Sequence, residues 1–159
     1  IFVLACEVVA GLIHNAKESK RTFVGSGGLE ALLNSLRNHP RDAAMQAAGL
    51  AALLALSARS VSCIRSMADV GAHEVSASAL KRFPNDVRIV GWGAGLLANM
   101  SNVPCVRPKL QRCGILTFAH NFLAEEKVRD LEIQESSRHH VNEFVQYLMK
   151  NLQDNDGSP

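Results

Sequence analysis

The chain repeats itself with a period of 44 residues, and this period restricts its possible folds more than any other feature. When the sequence is shifted by 44 positions, residues 27–58 align with residues 71–102. Eight of the 32 aligned pairs are identical, whereas ordinary composition gives roughly two by chance. The identical pairs are Gly27/Gly71, Glu30/Glu74, Leu36/Leu80, Pro40/Pro84, Asp42/Asp86, Gly49/Gly93, Leu53/Leu97 and Ser57/Ser101. A further copy begins 43 residues beyond Gly71, where an apolar run follows Gly114.

Each copy has the same local order: a short segment, a glycine, an amphipathic segment, a polar turn with proline, and a longer apolar segment. Glycine ends the first segment because it adopts positive φ without steric cost. Proline ends the second because it interrupts a helix, and Asp42 and Asp86 then cap the third. We therefore predict an all-α chain. Its breaks are expected near Gly27, Pro40, Gly71, Pro84 and Gly114.

The third segment of the second copy resembles a known repeat family. Residues 94–101 read Ala-Gly-Leu-Leu-Ala-Asn-Met-Ser and are similar to the A-x-x-L-x-N-L-s motif of armadillo repeats. Leu97 and Met100 match the core positions of that motif, and Asn99 matches its groove asparagine. In the first copy, Ala55 stands where the asparagine would be. A period of 43–44 residues also fits armadillo and HEAT repeats, since ankyrin and tetratricopeptide repeats span only about 33–34.

The resemblance covers roughly residues 15–145 and implies a right-handed α-solenoid of about three armadillo-type three-helix repeats. The repeats are expected at about residues 17–58, 60–102 and 105–152, the last with a long polar helix from Arg129 to Leu152. Residues 2–14 then form the third helix of a truncated repeat. We expect residues 1–152 to belong to a longer array and residues 153–159 to be a disordered tail.

A helical projection of residues 88–101 divides the third segment into two faces. The stripe expected in the core is Val90, Gly93, Ala94, Leu97 and Met100. The opposite face carries Arg88, Trp92, Gly95 and Asn99. By resemblance, this face lines a concave groove in which the asparagine grips the backbone of an extended peptide, since a carboxamide both donates and accepts hydrogen bonds. We predict these four residues as the partner-binding groove. Packing between repeats is the alternative for Trp92, and Gly95 is expected to admit a partner backbone.

The same column in the first copy is smooth. It consists of Ala44, Ala48, Ala51 and Ala55. Such a surface lets an apolar helix or strand lie close but offers no side chain to clamp a backbone. Importin-α-like proteins carry a tryptophan four residues before the groove asparagine, and Gly95 stands at that place here. Binding of nuclear signals in that manner is therefore not expected.

Composition excludes several classes of function. A formal net charge of +2 is too small to indicate nucleic acid binding. No apolar run reaches the roughly 18–20 residues of a membrane span. The four cysteines have no CxxC spacing, which favours reduced, mostly buried thiols in a cytoplasmic or nuclear protein. Residues 91–95 lack the GxGxxG spacing of a dinucleotide loop, and His139 and His140 are adjacent, so they share a metal poorly. We expect no enzyme activity, no cofactor and no metal.

Two functional hypotheses remain in front. The first is a protein-binding scaffold that holds an extended peptide or partner helix in the groove. The alternative is a structural repeat array within a larger assembly or filament. A third, binding of nucleic acid or acidic lipid, rests on basic residues that more often form solvated helix faces. These are Lys17, Lys20, Arg21, Lys109 and Arg112.

The first helix is apolar on many sides, so further repeats or another chain are expected to cover it. Its apolar residues are Phe2, Val3, Leu4, Val8, Val9 and Leu12.

Overall fold

The computed structural model describes residues 1–13, 16–124 and 135–153. In these residues the chain forms ten α-helices, one short 3₁₀ helix and no strand. The helices are α1 (Phe2–Ile13), α2 (Lys17–Gly25), α3 (Gly28–Asn38), α4 (Ala43–Ser57), α5 (Val61–Asp69), α6 (Ala72–Arg82), α7 (Val87–Ser101), the 3₁₀ helix (Pro104–Val106), α8 (Arg107–Arg112), α9 (Ile115–Ala124) and α10 (Glu135–Gln153). The all-α prediction is confirmed for the described residues.

The helix breaks fall where glycine and proline predict them. Gly27, Gly71 and Gly114 precede α3, α6 and α9 with φ values of 79°, 82° and 69°. This left-handed conformation is one that other residues rarely adopt. The predicted caps also form: Asp42 accepts from the backbone N–H of Met45 at 3.0 Å. The corresponding Asp86 accepts from the N–H groups of Arg88 and Ile89.

Helices α5, α6 and α7 begin and end 44 residues after α2, α3 and α4. We call α2–α4 the first unit, α5–α7 the second, and the 3₁₀ helix with α8–α10 the third. The matched glycines Gly49 and Gly93 each lie beneath a leucine of the same unit. A Cβ at Gly49 would be 2.5 Å from Leu36 Cδ2, and one at Gly93 would be 3.0 Å from Leu80 Cδ2. Glycine is present at these two positions because α3 and α6 cross α4 and α7 closely.

Basic side chains connect one unit to the next. Arg37 Nη2 donates to Val70 O at 2.6 Å, and the matched Lys81 Nζ donates to Cys113 O at 2.8 Å. Both carbonyls directly precede a glycine with positive φ. Val70 and Cys113 directly follow α5 and α8, where a carbonyl has no N–H of its own helix to accept from. Each bond therefore supplies the donor that this carbonyl lacks.

The longest helices of the units pack side by side. Helix α4 packs against α1 and α7, and α7 packs against α4 and α10. The largest fully buried side chains are mostly leucines, and they lie on α3, α4, α5, α6 and α7. Helix α7 therefore lies between α4 and α10, and residues of these two helices adjoin it on either side.

The third unit departs from the regular pattern. The described part of α10 begins at Glu135, whereas a helix from Arg129 was expected, and residues 125–134 lie outside the described residues. Of the expected tail, Gln153 is the last residue of α10 and residues 154–159 lie outside the described part. No described helix combines the length and apolar character that crossing a membrane requires.

Candidate partner-binding face

The α7 face comprises the four predicted groove residues, Arg88, Trp92, Gly95 and Asn99, together with Leu54 of α4 and Phe144 of α10, which adjoin Gly95. It forms on α7 because the opposite side of that helix is apolar and packs inward. Val90, Leu97 and Met100 are fully buried, as the helical projection predicts.

Gly95 is buried beneath two neighbouring side chains. A Cβ built on it would lie 3.4 Å from Phe144 Cε2 and 3.5 Å from Leu54 Cδ1. These are ordinary contact distances. The space in which we expected a partner backbone is occupied by Leu54 and Phe144, which form the surface above Gly95. Phe144 is 37% exposed.

Asn99 is half-buried, and its amide is held by the preceding unit. Its Nδ2 donates to Ser57 Oγ at 2.8 Å, and Ser57 Oγ donates to Leu54 O at 2.7 Å. Oδ1 of Asn99 accepts no hydrogen bond from a described residue. One N–H of Nδ2 is therefore used inside the chain, while its second N–H and Oδ1 bond to no described residue, and Ser57 fixes the direction in which both point.

Asn151 repeats this arrangement one unit later. Its Nδ2 donates to Ser101 Oγ at 2.9 Å, and Ser101 Oγ donates to Ala98 O at 2.7 Å. The sequence contains a partial signal, because residues 149–152, Met-Lys-Asn-Leu, fit the L-x-N-L part of the motif, although glutamine stands at its alanine and serine positions. We did not identify it because Asn151 follows Asn99 by 52 residues instead of 44.

Arg88 is exposed and bonded to the cap of its own helix. Its Nη2 lies 3.0 Å from Asp86 Oδ2. Although partial burial acts to raise it, the pKa of Asp86 is lowered by the hydrogen bonds from Arg88 and from the backbone N–H of Ile89. The guanidinium is thus partly neutralised before any partner arrives.

Trp92 is half-buried and packs against the hydrophobic core. This position is compatible with both alternatives, a packing role and contact with a partner through the exposed part of the ring.

Exposed aromatic side chains on α10 extend the surface beside α7. Phe144 and Tyr147 lie three residues apart, which places them on one side of the helix. Tyr147 is 46% exposed, and its hydroxyl donates to Asn102 Oδ1 at 2.6 Å. The sequence did not indicate these aromatic residues as part of a site, because the last helix was expected to be polar.

The α7 face combines aromatic and aliphatic carbon with an amide and a guanidinium. Among the described residues, no group of His, Cys, Asp or Glu is placed to hold a metal ion. Comparison of the chain with models of protein families, with curated proteins and with solved structures finds no match.

Proposed function

We propose that this chain is an armadillo-type, right-handed α-solenoid that binds a protein partner across the α7 face without catalysing a reaction. One observation carries the proposal. An apolar surface made by Leu54 and Phe144 lies over Gly95, between the exposed Arg88 and Asn99, whose Oδ1 accepts from no described residue. Hot spots of protein interfaces favour such aromatic and arginine residues.

The partner is an extended peptide or a helix that lays an apolar side chain against Phe144 and Trp92. Asn99 Oδ1 accepts a hydrogen bond from a partner N–H. Because Ser57 already holds the carboxamide, little side-chain entropy is lost on binding. Arg88 can pair with a partner carboxylate when it leaves Asp86.

Trp92 is the only tryptophan of the chain, so its fluorescence reports on this face. We would select peptides from a displayed library against the wild-type chain and titrate them while recording emission. Selected peptides should alter the Trp92 emission. They should bind about tenfold more weakly to Phe144→Ala, because truncation of an interface aromatic residue removes a hot spot.

Arg21→Ala is the control, because it truncates an exposed side chain on α2, away from the α7 face; it should bind the peptides as tightly as wild type. Peptides that bind Phe144→Ala as tightly as wild type, with unchanged Trp92 emission, would show that the α7 face is not the site.

A structural array within a larger assembly is the second candidate. It is favoured by the closure of Leu54 and Phe144 over Gly95 and by the use of Asn99 Nδ2 inside the chain. Under this alternative the library yields no binder to the α7 face, and association occurs through the ends of the helical stack.

A further inference from the structure

A second surface of the molecule has a different chemistry. A cleft of about 530 Å³ opens where the end of α3, the start of α6 and α8 meet, and it shares no lining residue with the α7 face. We call it the His73 cleft. The residues that matter below are Arg37, Asp69, His73, Glu74, Lys109 and Arg112.

His73 is only 6% exposed, and its Nδ1 has no hydrogen-bond partner among the described residues. Its Nε2 lies 4.0 Å from Glu74 Oε1, another lining atom. Leu29 and Leu116 occupy the corresponding positions of the first and third units. A leucine therefore suits the packing at this position. Packing does not explain an imidazole here, because a buried nitrogen without a hydrogen-bond partner is unfavourable.

Two cations of α8 face the same cleft. Lys109 Nζ lies 2.9 Å from Asp69 Oδ1. Arg112 donates from Nε to Pro108 O at 3.1 Å, whereas its two Nη groups donate to no described residue. A guanidinium with both Nη groups available can bind two oxygens of one anion. The pKa of His73 is lowered by burial, with Lys109 and Arg112 adding to the effect and Glu74 opposing it.

The start of α6 adds backbone donors. Gly71 precedes the first turn of α6 and provides no side-chain cap, so the first N–H groups of this 11-residue helix are not bonded to a capping side chain. Gly71 also lines the cleft. Helix N-termini of this kind favour negative charge.

The corresponding junction one unit earlier lacks this chemistry. There, Leu29, Ser66 and Asp69 occupy the positions that His73, Lys109 and Arg112 have in the His73 cleft. Since the first and second units have the same helix bounds, the fold does not require an imidazole and two cations at such a junction. Lys109 is partly accounted for by its bonds to Asp69 Oδ1 and Ala68 O, whereas His73 Nδ1 and both Nη groups of Arg112 bond to no described residue. An anionic ligand would give these groups a partner.

We propose that the His73 cleft binds a phosphate monoester group, held mainly by the guanidinium of Arg112 and supported by Lys109 and His73. A phosphate monoester offers three acceptor oxygens and close to two negative charges near neutral pH. The carboxylate of Glu74 also lines the cleft, so it competes with a bound phosphate for the cationic groups. The Arg37 guanidinium, which already donates to Val70 O, contributes positive charge at its rim.

The test is a titration with O-phospho-L-serine, followed by NMR through the imidazole and backbone signals of His73, with serine as the non-phosphorylated control. The phosphorylated compound should shift these signals and raise the pKa of His73, since a nearby anion favours the charged imidazole. Serine should do neither. Inorganic phosphate serves as a separate arm. Equal affinities would identify free phosphate as a sufficient ligand, and tighter binding of O-phosphoserine would identify a phosphorylated side chain, both in support of the site.

Three variants make the test specific. Arg112→Gln should weaken binding about tenfold, because a charge-assisted pair of hydrogen bonds is lost. His73→Leu installs the residue of the other two units, so it should fold normally and yet bind more weakly. Glu74→Gln should tighten binding. Arg21→Gln makes the same charge change on α2, outside the cleft, and should have little effect.

Absence of any shift with O-phosphoserine would overturn the proposal. So would equal weakening by Arg112→Gln and Arg21→Gln, because the binding would then follow the overall charge of the protein rather than this cleft.

Discussion

Asn99 and Asn151 each donate a hydrogen bond to a serine on the preceding long helix, and each serine donates in turn to a carbonyl three residues earlier. These side chains join α4 to α7 and α7 to α10 at the same relative position. They tie successive units together and also fix the orientation of the carboxamides. A residue suspected of binding a partner thus has a structural role as well.

Asn99→Ala should therefore lower the free energy of unfolding by about 1 kcal/mol, since a half-buried hydrogen bond is lost. This exceeds the cost of a typical exposed surface substitution, which is within about 0.5 kcal/mol. Leu97→Ala should cost roughly 2–5 kcal/mol because Leu97 is fully buried and a cavity remains. Urea unfolding of both variants gives the two values.

Ser57→Ala completes a double-mutant cycle with Asn99→Ala. Ser57→Ala should cost about as much as the pair together, whereas Asn99→Ala should cost less, because only Ser57→Ala also removes the bond from Ser57 Oγ to Leu54 O. Fully additive losses would mean that the two side chains do not interact in solution.

The cysteines differ in exposure, and their reactivity should follow. Cys105 is exposed, whereas Cys6 and Cys63 are buried. Burial, and to a lesser extent Glu7, raises the pKa of the Cys6 thiol from 9.0 to about 11. Because only the thiolate reacts, a disulfide reagent at mildly alkaline pH should modify Cys105 rapidly and Cys6 only after unfolding. Mass spectrometry of the partly labelled protein locates the label, and rapid labelling of Cys6 in the folded chain would contradict its position.

The pKa of Cys6 also predicts a stability trend. A raised pKa means that the folded state retains the proton that the unfolded chain loses near pH 9.0. The stabilisation that Cys6 contributes is therefore complete below pH 9.0 and is lost as the pH rises to about 11. Cys6→Ala, compared with wild type over this range, should lose less stability with rising pH.

At the scale of helices, the four glycines of α4 and α7 are not all required by packing. Gly49 and Gly93 lie under leucines of the crossing helix, whereas Gly91 and Gly95 have room for a methyl group. A Cβ at Gly91 would lie 3.4 Å from Val141 Cγ2, a distance similar to the contacts around Gly95. Close helix crossing explains the first two glycines and leaves the other two without a packing reason.

The alanine variants should therefore rank by contact distance. Gly91→Ala and Gly95→Ala should stabilise the protein by about 0.5–1 kcal/mol, because alanine favours the helix. Gly93→Ala should gain less, since Leu80 must move, and Gly49→Ala should destabilise, since a Cβ there would be only 2.5 Å from Leu36. Thermal melts of the four variants test the order. A stabilising Gly49→Ala together with a destabilising Gly95→Ala would reverse it and contradict the helix crossings described.

The helix boundaries could be predicted because they depend on residues that are close in sequence. The site was harder to predict because it depends on contacts between residues far apart in sequence. Glycine, proline and aspartate at fixed offsets give every predicted break and both predicted caps. Lys20, in contrast, was grouped with solvated basic residues, although it is 3% exposed and donates to Ala58 O. Its partner lies 38 residues away, and no local pattern reports such a contact. The cover over Gly95 was missed for the same reason.

For the molecule as a whole, the two sides of α1 differ. One side packs on α4, as α4 packs on α7. On the other side Leu4, Val8 and Leu12 are 65%, 57% and 71% exposed. Exposed apolar residues grouped on one helix favour contact with another protein surface, so the open side should drive association.

Ala5 lies 44 residues before Gly49 and therefore occupies the position at which a leucine of a second helix crosses α4 and α7. It lines an apolar cleft of about 280 Å³ between α1 and α3, together with Phe2, Cys6, Val9 and Leu32. We expect this cleft to receive an amphipathic helix of the kind formed by α3, with a leucine equivalent to Leu36 near Ala5. Because Ala5 has the methyl group that Gly49 lacks, this helix must cross α1 less closely than α3 crosses α4.

The prediction is tested by joining a copy of residues 28–44 directly to Ile1, since position 1 corresponds to residue 45 in the repeat. The added helix should bury the cleft and raise the melting temperature by several degrees, because each kcal/mol of added stability shifts the melting point of a domain of this size by about 2–4 °C. The matched control carries aspartate in place of the added copy of Leu36. A charged carboxylate cannot enter an apolar cleft without a large desolvation cost, so this control should melt like the unextended chain. Equal melting temperatures for the leucine and aspartate fusions would show that the helix does not dock at Ala5, and the cleft would then have another role.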